Sequence, residues 1–204
     1  MNPHTPEAWQ GSLFDEPAET RPQGLRYENG FLSVDEEASL ISAITALPLR
    51  EMRYKAYTAR RRVVSYGASY DFDEGMLRPS GPPPAFLKAL GAKAAAWAGL
   101  PAEDFTQILV AEYQPGTPLG WHRDVPDFED IVGVSLASAA LLRFRPYPPV
   151  QPSRADLIKL RAEPRSIYLL RGPARWEWQH SVAPTTALRY SITFRTPARR
   201  KPVR

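Results

Sequence analysis

The heptapeptide RYSITFR, from Arg189 to Arg195, decides the fold class because polar and apolar residues alternate along its whole length. Successive side chains of a β-strand point to opposite faces, so its four polar residues share one face and its three apolar residues share the other. Such a strand commonly turns its polar face to water. Inside a jelly roll, the polar face can instead border a ligand cavity. The segment therefore predicts one strand of a β-rich domain.

The chain before this strand reads as a helical first half followed by consecutive short strands. Ser33 and Glu36 form a capping-box pair, which predicts a helix ending at Pro48, and a second helix is predicted over Ala85–Ala98. Six further segments have the length and composition of strands: RRRVVSYG, TQILVAEY, IVGVSLAS, ALLRFRPY, LIKLRAEP and SIYLLRG. We expect an α+β fold, a double-stranded β-helix (jelly roll) core with the N-terminal helices packed outside.

The composition excludes several classes of protein. The 204 residues are enough for one domain with a sizeable core, and they include no cysteine. Disulfide frameworks, Cys-ligated zinc, iron–sulfur clusters and thiol nucleophiles are therefore excluded. The chain also lacks a glycine-rich phosphate loop and a G-x-S-x-G elbow, the usual signs of nucleotide hydrolysis and serine-nucleophile chemistry.

The distribution of residues predicts three parts. Residues 1–24 are rich in Pro, Glu and Thr and are expected to form a mobile tail, residues 25–197 the folded domain, and residues 198–204 a basic tail. No apolar run approaches the roughly 20 residues that span a membrane, and the N-terminus lacks the pattern of a secretory signal. We expect a cytoplasmic monomer without membrane contact.

The stretch GWHRDVPDFED, from Gly120 to Asp130, suggests a metal site. His122 and Asp124 are two residues apart, so on a strand their side chains point to the same side. His180 is the plausible third ligand, because the remaining histidine, His4, lies in the tail. Two imidazoles and one carboxylate on one face leave open positions, which is typical of non-haem Fe(II) oxygenases. The simpler interpretation is a surface turn with hydrogen-bonded histidines.

Arg189 and Arg195 suggest an anion site on the same domain. Their backbones are separated by roughly 20 Å along a strand, and two long side chains that lean together would span a small dicarboxylate. Arginine binds carboxylates through two parallel hydrogen bonds. The strand could therefore hold a diacid beside the metal.

Taken together, these motifs resemble the AlkB family of Fe(II)/2-oxoglutarate dioxygenases. The motifs occur in the order EYQPG, H-R-D at 122–124, RGPARWEWQH and RYSITFR. RGPARWEWQH ends at His180, and 55 residues lie between Asp124 and His180. The resemblance implies an AlkB-like dioxygenase domain over residues 25–197 that uses Fe(II), 2-oxoglutarate and O₂. It also implies that His122, Asp124 and His180 bind iron, and that 2-oxoglutarate is held by Tyr113, Arg189, Ser191 and Arg195.

The chain departs from the family pattern at Ala111. Family members often have Asn-x-Tyr where this chain has Ala111-Glu112-Tyr113. The amide that would help to hold the cosubstrate is missing, so either 2-oxoglutarate binds more weakly or another group replaces the amide. We expect the arginine pair to maintain activity.

The resemblance implies oxidative demethylation of N-alkylated bases in nucleic acid. 2-Oxoglutarate would be oxidised to succinate and CO₂, and a hydroxylated N-methyl group would leave as formaldehyde. DNA repair on a flipped base is the favoured role.

Residues predicted to contact the substrate are Tyr66, Tyr70, Asp127 and Trp178, with Phe72, Asp130, Arg175 and Trp176 as weaker candidates. Residues predicted to contact the phosphate backbone are Arg60, Arg61, Arg62, Arg143 and Arg145.

Several alternatives stay open at this point. The aromatic residues could be core, the aspartates could cap loops, and the arginines could be solvated loop charge. The substrate could be modified RNA or tRNA or a protein side chain, and a non-catalytic nucleic-acid-binding module is a further rival.

The N-terminal tail suggests a protein partner. The segment AWQGSLFDE resembles the short peptide with which bacterial DNA-processing proteins bind the sliding clamp. In such a peptide Gln10 would occupy a polar site, while Leu13 and Phe14 would fill an apolar pocket. We therefore expect the tail to recruit the enzyme to DNA.

Overall fold

The computed structural model describes residues 21–54, 57–149 and 157–199. Two antiparallel sheets form the centre of the fold. The larger sheet has seven strands, in the spatial order β1 (Leu25–Glu28), β11 (Ser166–Leu170), β8 (Phe128–Leu136), β13 (Arg189–Pro197), β6 (Gln107–Tyr113), β3 (Tyr57–Tyr66) and β2 (Arg50–Tyr54). The smaller sheet has four, in the order β10 (Ile158–Ala162), β9 (Ala140–Pro146), β12 (Trp178–Val182) and β7 (Leu119–His122).

A separate two-stranded hairpin follows β3. Its strands are β4 (Ala68–Asp71) and β5 (Met76–Pro79), and Tyr70 pairs with Leu77 across them. Leu77 packs against the apolar residues between the two large sheets. The hairpin therefore borders the inter-sheet space.

The two long helices form where the sequence predicts them. Helix α1 (Val34–Thr45) starts with a complete capping box, in which Ser33 and Glu36 each accept a hydrogen bond from the other's backbone N–H. Helix α2 (Ala85–Ala98) ends at Gly99, which has the left-handed conformation common after helices. A single turn, α3 (Pro173–Trp176), and a 3₁₀ turn (Ala102–Asp104) complete the helical elements of the described ranges.

Two apolar clusters lie on opposite sides of the larger sheet. One joins the helices to the sheet, through residues such as Leu87, Val110 and Phe194. The other fills part of the space between the sheets, with Phe144 from β9 and Leu170 from β11. This two-sheet arrangement with external helices confirms the predicted jelly roll.

Within the part of the chain that the structure describes, no helix is long and apolar enough to cross a membrane.

Candidate metal and cosubstrate site

His122, Asp124 and His180 converge at the inner surface of the smaller sheet. The two histidines face each other in register across β7 and β12, with ring centroids 4.2 Å apart. One potential ligand atom from each of the three residues lies within 4.8 Å of the other two. Two imidazoles and one carboxylate match the donor set predicted from the sequence, and this set fits a divalent iron ion.

The protonation states of the histidines suit metal binding. His122 Nδ1 lies 2.9 Å from the carbonyl oxygen of Gly120, so a protonated Nδ1 donates to that carbonyl and leaves Nε2 free as a ligand. Burial lowers the pKa of His122 and lowers the pKa of His180 to about 3. Both imidazoles are therefore neutral at neutral pH, as ligands must be.

Asp124 is oriented by a second layer of residues. Arg195 donates to Asp124 Oδ1 from Nε at 2.8 Å, and its Nη2 lies 2.6 Å from the same oxygen. Burial raises the pKa of Asp124, but the charge of Arg195 opposes this effect and the net shift is strongly downward. Gln107 Oε1 accepts a further hydrogen bond from Arg195 Nη1 at 2.9 Å. Asp124 is thus an ionised, fixed carboxylate.

Arg189 is buried at the other end of β13. Only 1% of its surface is exposed, its Nε donates to Ser135 Oγ at 3.1 Å, and its guanidinium carbon lies 5.1 Å from the centre of the Tyr113 ring. Among the residues that the structure describes, its Nη1 has no hydrogen-bond partner. A buried, incompletely paired guanidinium is costly, so this nitrogen indicates a place for an anion such as a carboxylate.

Small side chains line the surface between the two arginines. On β13, Ser191 pairs with Ser135 of β8 and with Ala111 of β6, and the adjacent row contains Gly133. Ser191, Ser135 and Ala111 protrude little from the sheet and form a small-residue floor beside Arg189, whereas the ring of Tyr168 fills the space over Gly133.

Tyr113 lies at the Arg189 end of this floor. It is buried, and its hydroxyl accepts a hydrogen bond from Arg61 Nη1 at 3.4 Å. Burial raises the pKa of Tyr113, but the charges of Arg61 and Arg189 outweigh this effect and the net shift is downward. Arg61, predicted to contact phosphate, instead reaches the candidate cosubstrate site.

Arg175, a weaker candidate from the sequence, is buried and holds the backbone of the loop between His122 and strand β8. Arg175 Nη2 donates to the carbonyl oxygens of Asp124, Val125 and Phe128 at 3.1, 2.8 and 2.9 Å. Arg175 is 2% exposed, so the substrate contact considered for it is not available. Its position in RGPARWEWQH, shortly before His180, was the only signal in the sequence.

Three comparisons with known proteins bear on this site. The model of the 2OG-Fe(II) oxygenase superfamily matches residues 24–195. The chain belongs to this superfamily. Membership implies Fe(II), 2-oxoglutarate and O₂ for the oxygenase domain, and the donor set described above is present for them.

The relatives within the superfamily confirm the resemblance to AlkB proteins. The alkylated DNA repair protein ALKBH8 homolog of Arabidopsis thaliana is 30% identical over 194 residues, covering 84% of this chain and 53% of the relative. The uncharacterized protein L905 of Acanthamoeba polyphaga mimivirus is 32% identical over 108 residues, covering 47% and 50%. The chain thus spans about half the length of these two relatives.

A solved structure of a superfamily member, OsALKBH1, shares the fold. It superposes with a TM-score of 0.64 at 18% identity, covering 86% of this chain and 97% of that one. The dioxygenase jelly roll is therefore the architecture of this domain.

The aromatic residues predicted to bind substrate lie on different faces and elements of the fold. Trp178 lies on the same side of β12 as His180 and packs at the border of the inter-sheet cluster. Tyr70 packs edge-on against Phe72 at 4.9 Å in the β4–β5 hairpin. Tyr66, however, packs in the helix-side cluster, which argues against the substrate contact predicted for it.

The aspartates after the metal ligands have different environments. Asp127 is exposed in the turn before β8, and its carbonyl oxygen accepts from Ala198 N–H at 2.7 Å. Asp130 is buried and paired with Arg171 at 2.8 Å. Asp130 is therefore a structural residue, and base recognition by it is not supported.

The remaining predicted backbone-binding arginines are held in intramolecular contacts. Arg62 makes two hydrogen bonds to Glu112, at 2.8 and 2.7 Å. Arg143 and Arg145 lie over Trp121 at 5.3 and 4.5 Å, on the outer face of the smaller sheet and away from His180. Their predicted contact with the phosphate backbone stays a prediction, and Arg143 and Arg145 would make it on a different face from the metal ligands.

The predicted contacts of Arg60 and of the N-terminal tail concern residues that the structure does not describe. The side chain of Arg60 and the tail residues Gln10, Leu13 and Phe14 lie outside the described residues, as does the tail from residue 200 onward.

Proposed function

We propose that this protein is an Fe(II)/2-oxoglutarate-dependent dioxygenase that oxidatively demethylates N-alkylated bases in DNA. One observation carries the cosubstrate assignment: among the described residues the buried Arg189 Nη1 has no partner, and Arg189 shares a strand face with Arg195, which contacts the metal ligand Asp124. A dicarboxylate bound between the metal site and Arg189 would pair with this guanidinium.

The residues of the chain have distinct roles in this proposal. His122, Asp124 and His180 hold the iron, and Arg195 keeps Asp124 ionised and oriented. Arg189 binds the distal carboxylate of 2-oxoglutarate. The bound iron supplies the oxidative chemistry with O₂ and 2-oxoglutarate, while the protein supplies orientation and exclusion of water.

Two features favour a nucleic-acid base as substrate. Trp178 and the hairpin containing Tyr70 both border the inter-sheet space that holds the metal ligands, so their flat rings are available for stacking. The Arabidopsis relative is named as an alkylated DNA repair protein. Asp127, exposed close to the metal ligands, is a candidate for contacting an exocyclic amine.

An anaerobic titration tests the metal and cosubstrate assignment. Fe(II) added to the full chain with 2-oxoglutarate should produce a visible metal-to-ligand charge-transfer band. His180→Ala should lose the band, whereas Gln179→Ala, which changes the neighbouring residue on the opposite strand face, should retain it. A band of equal strength in His180→Ala would refute the assignment.

A substrate panel tests the choice of DNA. Methylated single-stranded DNA, methylated duplex DNA, methylated tRNA and a methylated peptide are incubated with the full chain, Fe(II) and 2-oxoglutarate. We expect formaldehyde and succinate in equal amounts with DNA. Turnover confined to tRNA or the peptide would transfer the proposal to the alternative oxygenase substrates. Charge-transfer without turnover on any substrate would favour a non-catalytic binder.

We also propose that the N-terminal tail binds the bacterial sliding clamp, which would place the protein in the cytoplasm beside DNA. The support is the sequence QGSLF at residues 10–14. Surface-immobilised clamp should bind the full chain, and the double variant Leu13→Ala/Phe14→Ala should bind at least tenfold more weakly. Equal binding by the two proteins would overturn this proposal.

A further inference from the structure

The outer face of the smaller sheet, which points away from the metal ligands, carries a group of positively charged side chains. On β9, Arg143 and Arg145 alternate with Leu142 and Phe144, which pack in the inter-sheet cluster. Lys159 of β10 is exposed and is paired with Arg143 in the strand register, so the two side chains lie on the same face. Three cations from two neighbouring strands therefore share one outer surface.

A tryptophan and two polar residues hold the arginines of β9 in place. The side chains of Arg143 and Arg145 extend across β12, where their Nε atoms donate to Ser181 Oγ at 3.0 Å and to Gln179 Oε1 at 2.8 Å. Their guanidinium carbons lie 5.3 and 4.5 Å from the centre of the Trp121 ring on β7. These contacts order both guanidinium groups, and they leave the terminal Nη atoms without hydrogen bonds to other described residues.

The positive charge of this face is mostly uncompensated. Among the residues that the structure describes, no carboxylate lies within ion-pair distance of Arg143, Arg145 or Lys159. Arg161, the next outward residue of β10, is paired with Glu163 at 2.5 Å, so that pair adds no net charge. Ordered cationic donors that are not already paired are suited to bind phosphate oxygens.

The outer face begins one residue away from the metal site. Strand β7 is the edge of the smaller sheet, and Trp121 on its outer side is followed by His122, which faces His180 on the inner side. Arg123 comes next, and its guanidinium carbon lies 3.7 Å from the centre of the Tyr147 ring at the end of β9. A long polyanion that places one group at the metal site and continues around the β7 edge therefore meets the arginines of β9.

We propose that an outer basic face, made of Trp121, Arg143, Arg145 and Lys159, binds the phosphate backbone of the DNA that flanks the base undergoing oxidation. The guanidinium and ammonium groups pair with phosphate oxygens, and Trp121 lowers the entropy lost on binding because it already orders the arginines. Such contacts add affinity without sequence specificity. The inference rests on the proposed function for its choice of partner, and it adds a binding surface apart from the metal ligands.

The salt dependence of DNA binding tests this surface. Fluorescence anisotropy of a labelled, unmethylated single-stranded oligonucleotide measures its Kd for the full chain at several salt concentrations. For Arg143→Gln/Arg145→Gln we expect Kd at about 0.1 M salt to rise roughly ten- to thirtyfold, and the slope of log Kd against log salt to fall by about 1.4, because each contact to a single-strand phosphate contributes about 0.7. The melting temperature shows whether the variant is folded.

Lys159→Gln provides a second variant that does not depend on buried contacts. The lysine is exposed, so its loss should leave the melting temperature unchanged and lower the salt slope by about 0.7. The charge-matched control is Arg26→Gln/Lys88→Gln, which removes two cations from the helix side of the larger sheet. Arg26 also lies over a tryptophan, at 4.5 Å from the ring of Trp97, yet this control should keep the wild-type slope.

The possible outcomes separate this inference from the proposed function. Wild-type slopes in both variants of the outer basic face would overturn the inference and leave the face to another anionic partner, such as an acidic peptide. A loss of slope confined to an RNA oligonucleotide of the same sequence would overturn the choice of DNA. The charge-transfer band with Fe(II) and 2-oxoglutarate does not enter either result, so the dioxygenase assignment is tested separately.

Discussion

Both faces of β13 are largely buried, but they serve different purposes. Tyr190, Ile192 and Phe194 face the helices and are at most 3% exposed, whereas Arg189 and Ser191 face the smaller sheet and are at most 5% exposed. The apolar face is covered by apolar neighbours. The polar face carries a guanidinium nitrogen without a partner. Burial alone therefore does not identify a core, and the informative feature is a buried polar group whose hydrogen bonds are incomplete.

The largest expected effect comes from the polar side of the inter-sheet space. We expect His180→Ala to reduce succinate formation from 2-oxoglutarate to background, because one of the ligands to the iron is lost. The variant should remain folded, with a free energy of unfolding lowered only by the lost ring contact with Phe144 at 6.2 Å, and chemical denaturation checks this. Gln179→Ala is the matched control, and residual turnover in His180→Ala above that background would contradict the assignment.

On the helix-facing side we expect the opposite result. Phe194→Ala removes a fully buried ring that packs 5.2 Å from Phe105, so the free energy of unfolding should fall by about 3–5 kcal/mol. The Kd for 2-oxoglutarate of the folded protein should not change. Chemical denaturation and calorimetric titration measure the two quantities, and a large change in Kd would mean that the two faces are not independent.

Arg189→Met sharpens the comparison on the polar side. Loss of the guanidinium should weaken 2-oxoglutarate binding by roughly 2–4 kcal/mol, as expected when one partner of a buried charge pair is removed. The unfolding free energy should be unchanged or slightly higher, because the incompletely paired charge is replaced by an apolar side chain. Arg62→Met, which removes a guanidinium on the opposite face of the sheet, is the control for 2-oxoglutarate affinity. A variant that is destabilised but binds normally would make Arg189 a structural residue.

The smallest effect concerns a carboxylate on the helix-facing side. The hydrogen bonds from Arg62 lower the pKa of Glu112, although burial acts in the opposite direction. The ionised Glu112 therefore stabilises the folded protein at pH values above the pKa that Glu112 has in the unfolded chain. This stabilisation is lost as the pH falls through the lower pKa of the folded protein. Glu112→Gln should cost on the order of 1 kcal/mol at pH 7, because Arg62 is half exposed. Denaturation of both proteins from pH 7 to pH 3 should show the difference narrowing, and a constant difference would contradict the coupling.

Short-range patterns explain what the sequence predicted well. The capping box at Ser33 and Glu36 and the alternation in RYSITFR depend on neighbours within a few residues, so helix α1, helix α2 and strand β13 were all predicted close to their observed bounds. The H-x-D spacing and the histidine count identified the three metal ligands, but the strand expected to carry both His122 and Asp124 ends at His122. Asp124 lies in the loop that follows β7, and it reaches the two histidines from there.

Predictions that required knowing which face of a strand is inside were less successful. Arg61 and Arg62 are adjacent, yet one reaches Tyr113 and the other pairs with Glu112 on the opposite face. Tyr66 lies on the same face of β3 as Arg62 and packs in the apolar cluster between the larger sheet and the helices. Strand periodicity separates the two faces, but it does not say which of them meets the ligand.

The sequence by itself determined the strand and helix pattern, the donor types for iron and the presence of two arginines on one strand face, because each is encoded in local spacing. Only the tertiary structure decided that Arg195 holds Asp124, that Arg189 retains a nitrogen without a partner and that Tyr168 covers Gly133. These contacts join strands that are distant in the chain, and their existence depends on sheet register and on the packing of one sheet against the other.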